Sequence, residues 1–382
     1  MKRSTYKRVL AIVLALSTMA LAAAAASRAD APLSQPPVWS GPENVSTSVE
    51  VDSEAPTLAV ASNGVAHLVW EEADQLYHAH RTAGVWSTPA QIPGTGTADQ
   101  PAIAPGDDGQ VHVVYADYPD IYRVSWSGSA WGLPRNVSQH SVSSSDSPDL
   151  AVARDGSLHI VAVEATSQQL YYADVSGGSY SPIPNALFAG SPSIDVAGVT
   201  TKTIQIAYRN TIDSNIYTVR RQAGTWDIPQ GVTNSPERFS TAPDLALDAS
   251  GQAHVVWRET ISETDQVQYA YGPGWTPIQT LSNSTGGTTL PALTIDGLGV
   301  LHAGWGDGTA PTFTLLHASA GSPDDWSPPT VAHAGDVPIE DVTLFGTSDG
   351  IIHAAWVEGS PGEVWYASQL DHRVLLPLVL RN

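Results

Sequence analysis

A seven-residue stretch, Ala66-His67-Leu68-Val69-Trp70-Glu71-Glu72, returns in recognisable form to the end of the chain, and no other feature constrains the fold as tightly. Its anchor histidines are His67, His112, His159, His254, His302 and His353, and a weaker copy, Thr-Ile-Gln-Ile-Ala-Tyr-Arg-Asn, puts Gln205 in the same slot. Successive separations are 45, 47, 46, 49, 48 and 51 residues, which makes seven copies. A repeat of this period is one supersecondary unit that cannot bury its apolar face alone and must stack on its neighbours.

Each copy follows one internal grammar. A proline opens a short apolar run: Pro56, Pro101, Pro148, Pro192, Pro243 and Pro291, with Val342-Thr343-Leu344 in the seventh copy. A tight-turn signal follows, such as Asn63-Gly64, Asp108-Gly109, Asp155-Gly156 or Asp349-Gly350, of the kind that favours positive φ in a β-hairpin. The anchor strand then runs to an aromatic residue, namely Trp70, Tyr115, Tyr208, Trp257, Trp305 or Trp356. A third run carries Tyr77, Tyr122, Tyr171, Tyr217 and Tyr269, and a fourth opens on Trp-x-x-Pro or a variant, with Trp86, Trp131, Tyr180, Trp226, Trp275 and Trp326 in the slot. Four strands joined by short turns make one antiparallel blade, and the wealth of Val, Ile, Tyr and Trp leaves little room for helix.

The two ends of the array decide whether it closes. The seventh copy reaches its third strand at Val364-Trp365-Tyr366-Ala367 and then lacks a Trp-x-x-Pro, whereas an unassigned Trp39-Ser40-Gly41-Pro42 precedes the first copy. An N-terminal strand that completes the last blade locks a ring; an open solenoid would need capping repeats instead. The expectation is an all-β, seven-bladed β-propeller over residues 38–370.

On these repeats the chain resembles the sialidase-like, Asp-box (BNR) propeller superfamily over residues 39–367. The resemblance lies in the Asp-Gly-x-x-His-x-x-Trp pattern and in the turn before the fourth-strand Trp, which reads Ser-x-Asp-x-Gly-x-x-Trp in that family. Here Thr82-Ala83-Gly84-Val85-Trp86, Ala223-Gly224-Thr225-Trp226 and Ser322-Pro323-Asp324-Asp325-Trp326 are degenerate forms of it. The resemblance implies a fold used by retaining sialidases, with an arginine triad, a Tyr–Glu nucleophile pair and an Asp acid, and also by lectin-like members. No Arg-Ile-Pro or Arg-Leu-Pro segment stands ahead of the first blade, where those enzymes place one triad arginine. Fold is thereby implied more firmly than activity.

Outside the repeats, Lys2-Arg3-Lys7-Arg8, an apolar run over residues 9–16 and an Ala-rich stretch to Ala26 read as a secretory signal peptide over residues 1–26. Its removal leaves 13 of the 17 Lys+Arg against 38 Asp+Glu, a strongly acidic exported chain. That sign argues against nucleic acid, which demands clustered basic side chains. No transmembrane span is expected in the mature chain, and a monomer is. The absence of cysteine excludes disulfides, thiol catalysis and thiolate metal sites. The apolar tail over residues 371–382 lies outside the grammar and reads either as a sorting or attachment signal or as an extra edge strand.

Six histidines invite a metal reading, but packed sheets lie about 10 Å apart whereas ligating nitrogens stand about 2 Å from zinc. Equivalent positions on neighbouring blades therefore cannot share one ion, and each histidine is expected to hydrogen-bond inside its own blade. No metal and no cofactor are expected.

Five residues after each anchor stands an acidic group: Glu72, Asp117, Glu164, Glu259, Asp307 and Glu358, with Asn210 in the weak copy. These carboxylates are expected to ring one mouth of the propeller, either facing a ligand or accepting N–H bonds from their own following loops. Function concentrates where symmetry breaks. The weak copy carries Arg209, the next copy carries Arg258 at the matching position, and Arg238 lies between them. Three arginines at one mouth of an acidic protein form a candidate clamp for a carboxylate or sulfate, because the guanidinium fork suits planar anions. Tyr208 and Glu259 are the weaker candidates for nucleophile and base.

The sequence thus reads as a secreted or surface-attached binding propeller for a glycan or another envelope component. The alternatives are a sialidase-like glycoside hydrolase or lyase, which needs one singular set of catalytic groups, and a scaffold for protein partners.

Overall fold

The computed structural model describes residues 37–370, apart from 49, 107–108, 140–142, 176–177, 199–200, 236–237 and 276. The expected signal segment (1–26) and apolar tail (371–382) lie outside the described residues. Seven antiparallel sheets follow one another, and their first strands touch in a closed circle, from blade 1 to blade 7 and back to blade 1. The chain is a seven-bladed β-propeller.

Blade 1 sets the pattern. It pairs Ser53–Val60, Ala66–Glu72, Gln75–Thr82 and Val85–Trp86 in that order from the centre outwards, and Ala90–Gln91 also pairs with the third strand. The second strands of blades 2 to 7 are Val111–Asp117, Leu158–Glu164, Thr203–Asn210, Ala253–Ile261, Leu301–Thr309 and Ile352–Glu358.

Alternation along the second strand divides its side chains between two neighbours. The aromatic residue always faces the preceding blade: Trp70 packs with Ala355 and Val364 of blade 7, Tyr208 with Val161 and Val163 of blade 3, and Trp257 with Ala207 and Ile216 of blade 4. Burying roughly 200 Å² of such a ring contributes about 5 kcal/mol at about 25 cal/mol per Å². The anchor position, three residues earlier, faces the following blade.

There the anchor histidines bond inside their own blades. Nδ1 of His159, His254 and His353 meets the hydroxyl of Tyr172, Tyr269 and Tyr366 at 2.6, 2.7 and 2.6 Å. His67 and His302 meet His78 and His317 at 3.0 Å, and His112 meets Ser125 at 2.7 Å. Burial lowers the basicity of His67, His112, His159, His254 and His353, to about 4 for His67 and His353, so these five sit neutral in the sheet.

The fourth-strand aromatic then covers the preceding blade. Trp86 stands edge-on to Tyr366 at 5.0 Å, Trp226 to Tyr172 at 5.2 Å and Trp326 to Tyr269 at 4.9 Å. Trp131 meets His78 at 5.0 Å and Trp39 meets His317 at 5.5 Å in the same way. Five of the seven blade junctions are therefore keyed by one edge-to-face pair, a geometry the ring quadrupoles favour.

The prolines do not open the inner strands as the sequence suggests. Each of those in the first five blades sits inside its strand, just after a register shift, as between Glu54 and Thr57 or between Thr241 and Asp244. The residue before the proline takes left-handed φ: Ala55 at 47°, Gln100 at 53°, Ser147 at 49°, Ser191 at 47° and Ala242 at 48°. A bulge leaves one residue out of the ladder, so proline's missing N–H costs no bond there. Only in blade 6, where the strand is Ala292–Ile295, does the proline precede it.

Ring closure occurs in blade 7. Glu43–Asn44 pairs with Glu363–Ser368, with Glu43 opposite Tyr366 and Asn44 opposite Trp365, and Trp39 bridges Gln369. Ser40 N donates to Ser368 O, Val45 N to Val364 O and Leu370 N to Val38 O, each at 2.8 Å. The Ser46 hydroxyl meets Glu363 and accepts from Val364 N at 2.9 Å, and Ser40 Oγ accepts from Ser368 N at 3.0 Å.

Candidate functional site

The central channel, about 350 Å³, is lined by the inner strands and carries three carboxylates on consecutive blades, Asp149, Asp195 and Asp244. Each clasps the next blade: Asp149 accepts from Ile194 N at 2.8 Å, Asp195 from Leu247 N at 2.7 Å and Asp244 from Leu293 N at 2.7 Å. Enclosure by the ring pushes the carboxyl of Asp149 up to about 7 and that of Asp195 up to about 6, and raises that of Asp244, with the amide bonds opposing the shift. The channel acids thus act as inter-blade fasteners. Among the described residues no group of three or more His, Cys, Asp or Glu is placed to hold a metal ion.

The mouth at the ends of the second strands holds the expected acidic ring, and most of its members are capped by the segment that leads into their own blade. Glu72 accepts from Ser48 Oγ at 2.6 Å, Asp117 from Thr97 Oγ1 at 3.0 Å and Asp307 from Ser284 Oγ at 2.7 Å. Glu358 pairs with His333 Nε2 at 3.0 Å and accepts from Trp356 Nε1 at 3.0 Å. Glu164 instead accepts from Thr166 N at 3.1 Å and Ser167 N at 2.8 Å, and Asn210 caps Ile212 N at 2.9 Å. Although burial pushes the Glu164 carboxyl up, the Ser167 and Thr166 donors outweigh it and hold the group down at about 2. Local partners therefore occupy these oxygens, and the ring is a set of loop anchors.

Blade 5 departs from that rule. The slot filled elsewhere by a hydroxyl or imidazole is filled by Arg238, whose Nη1 lies 3.5 Å from Oε2 of Glu259. Neither Glu259 oxygen has a hydrogen-bond partner within ordinary geometry, and burial raises its carboxyl pKa against the opposing pull of Arg238. Arg238 itself is half exposed and lines a cleft of about 590 Å³ with Ile212, Asp213, Asn215, Asn234 and Phe239. Two of these, Ile212 and Phe239, are exposed apolar side chains, at 71% and 45%.

The three arginines do not converge. Arg209 points to blade 5, where its guanidinium stacks 4.3 Å above the Phe239 ring and its Nη2 lies 3.4 Å from Ser214 Oγ. Arg258 pairs with Asp265 at 3.6 Å; because Trp257 and Glu259 face blade 4, alternation turns Arg258 to the other side, toward blade 6. Arg238 therefore lines the cleft, Arg209 braces it from behind Phe239, and Arg258 is elsewhere.

The weaker catalytic pair separates too. Tyr208 is buried in the blade 3 core and stacks on Tyr217 at 5.9 Å, with burial pushing its phenol far above the usual range, so no substrate reaches it. Ile212, Asp213, Asn215, Asn234 and Phe239 were not marked by the repeat grammar. The isoleucine in the turn Asn210-Thr211-Ile212-Asp213-Ser214-Asn215 is the one local signal, since a solvent-facing turn has no structural use for it.

No family model matches the chain, and no curated protein does. Solved structures match in fold. A polysaccharide lyase of family PL25, an ulvan lyase solved with a -[GlcA(1-4)Rha3S]- ligand, superposes with a TM-score of 0.60 at 11% identity, covering 84% of this chain and 95% of that one. The polysaccharide lyase Uly1 gives 0.51 at 12% identity over 90% and 95%. A protein of unknown function from Dyadobacter fermentans gives 0.51 at 10% identity over 88% and 100%. Sialidases are also among the structural neighbours, at TM-scores of 0.49 and 0.44. The likeness concerns the propeller itself.

Proposed function

We propose that the chain is a secreted or surface-attached binding propeller that takes an acidic glycan, through a carboxylate or sulfate, in the cleft between blades 4 and 5. The observation that carries this reading is Arg238. In a chain of net charge −21, a half-exposed guanidinium lines a concave site beside two exposed apolar side chains and two amides. Cation, apolar face and amide are the three elements an acidic sugar ring needs: a fork for its anion, a surface for its C–H face and partners for its hydroxyls. The glycan-directed chemistry of the two lyases that share the fold supports the substrate class by analogy.

A glycan array probed with residues 38–370 tests it. Binding to uronate- or sulfate-bearing glycans, lost in Arg238→Gln and retained in Arg258→Ala, is the expected result. Equal binding by Arg238→Gln removes the reading.

One feature favours an enzymatic version of the same site. A buried carboxyl of raised pKa beside a cation is the environment in which general acids are tuned. Turnover of a glycan substrate that disappears in Glu259→Gln while binding persists would make the protein a glycoside hydrolase or lyase.

A further inference from the structure

Blade 4 breaks the pattern at the opposite end of the propeller from the arginine cleft. Elsewhere the anchor and a third-strand side chain bond to each other; in blade 4 the anchor is Gln205 and the third-strand side chain is Thr218. A ring is replaced by a small side chain, and no aromatic edge is available to the fourth-strand residue of the next blade, Trp275. The volume left behind is a cavity of about 320 Å³, walled by Gln205, Thr218, Arg220, Asp227, Gln252 and Trp275.

The polar groups around this cavity fall into two sets. At the rim, Arg220 Nε pairs with Asp227 Oδ2 at 2.8 Å and Gln252 Nε2 donates to Gly272 O at 2.7 Å, so these groups are satisfied and no net charge is presented. Inside, Gln205 is 7% exposed, Thr218 2% and Trp275 6%; the Trp275 indole N–H is buried without a hydrogen-bond partner among the described residues, and the Gln205 amide and Thr218 hydroxyl line the same cavity. Buried polar groups in native proteins are almost always bonded. An orphaned indole N–H, with an amide and a hydroxyl facing the same cavity, leaves a place for a hydrogen-bonding partner that enters it.

We propose that this cavity is a binding site for one uncharged, polyhydroxylated ring, a neutral monosaccharide unit. The Gln205 amide offers both donors and an acceptor, the Thr218 hydroxyl either role, and the indole a donor beside an apolar wall. Hydroxyl groups, which both donate and accept, match that mixture; a carboxylate or ammonium would find no compensating charge. The volume lies at the small end of ligand sites, about 300–1,000 Å³, which suits a single ring. The site is separate from the Arg238 cleft and does not depend on how that cleft functions.

The test is an NMR titration of indole-labelled protein, residues 38–370, with the methyl glycosides of glucose, galactose, mannose, xylose and rhamnose, and with methyl glucuronide. The Trp275 signal is assigned from a Trp275→Phe spectrum. At least one neutral glycoside should shift that signal saturably, at a Kd of about 1 mM or lower. Thr218→Tyr, which restores the ring found in other blades and fills the cavity, should weaken binding at least tenfold while the other indole signals stay in place. Should Thr218→Tyr disturb the fold, Gln205→Ala serves instead, with the same loss expected. Arg238→Gln should leave the titration unchanged, which separates this site from the acidic-glycan cleft. No shift with any neutral glycoside, an unweakened shift in both cavity variants, or glucuronide binding as well as the neutral sugars overturns the proposal.

Discussion

Arg238 Nη1 stands 3.5 Å from Oε2 of Glu259 and is, among the described residues, the one charge partner of a carboxylate that keeps 1% of its side-chain surface exposed. In five blades the corresponding acid meets a side chain from the entering segment or following loop at hydrogen-bond distance; here the contact is longer, ionic and half open to solvent. The pair therefore couples the integrity of blade 5 to whatever occupies the cleft.

Arg238→Ala strands the Glu259 charge in a buried place. Removing one partner of a fully buried pair costs about 3–5 kcal/mol, but the exposure of Arg238 screens this one, so a loss of about 1–2 kcal/mol is expected from urea denaturation. Glu259→Gln in the same background should recover most of it. If the single and double variants unfold at the same urea concentration, the pair is not coupled.

The pH profile of stability follows from two opposed sets of groups. Asp149 and Asp195 have folded pKa values raised to about 7 and about 6, above their unfolded values, so their ionisation destabilises the fold and that penalty shrinks as pH falls through 7 and 6. His67, His112, His159, His254 and His353 have lowered folded values, about 4 for His67 and His353, so below about pH 6.5 the unfolded chain takes up protons that the fold refuses, and stability falls. The melting temperature should peak near pH 6–7. Asp149→Asn should flatten the decline above about pH 6.5 and steepen the acid limb, because it removes a penalty that otherwise eases between about pH 7 and 4; a monotonic profile would contradict both assignments.

Closure of blade 7 rests on backbone and side-chain bonds that include six made by Ser40, Val45, Ser46 and Leu370 at 3.0 Å or less. At about 0.5–1.5 kcal/mol each they amount to about 3–9 kcal/mol. A chain starting at residue 47 should melt at least 10 °C lower than one starting at residue 38, or fail to fold. Equal melting temperatures would mean that the ring does not depend on this strand.

Tyr208→Phe should leave every glycan-binding or turnover readout unchanged, because the hydroxyl lies in the core between blades 3 and 4. A selective loss of activity with unchanged melting temperature would reopen a catalytic role.

The architecture was legible because it is written seven times: period, turn chemistry and the orphan Trp39 together allow one closed ring. The site was less so. Arg209 and Arg258 occupy the same slot of consecutive copies, and equivalent slots lie one blade apart, the same geometry that keeps the anchor histidines from sharing a metal. Arg238, outside the repeated strands in the segment that leads into blade 5, reaches that blade's own acid. The capping groups Ser48, Thr97, Ser284 and His333 precede their acids by 24, 20, 23 and 25 residues, and this scatter in the connecting segments hid them from a fixed-period reading. Likewise the proline bulges could not be told from strand starts, since proline suits both.

The strand around Glu43 is among the first parts of the described chain to be synthesised, and its partner, Glu363–Ser368, is among the last. Blade 7 therefore cannot be assembled until the seventh copy has been translated, however early the other blades take shape. Any product cut short in its final copy leaves an unpaired Trp39 strand and an open-edged crescent, so the seam works as a completeness check: a chain is sealed against edge-to-edge aggregation only once every copy is present.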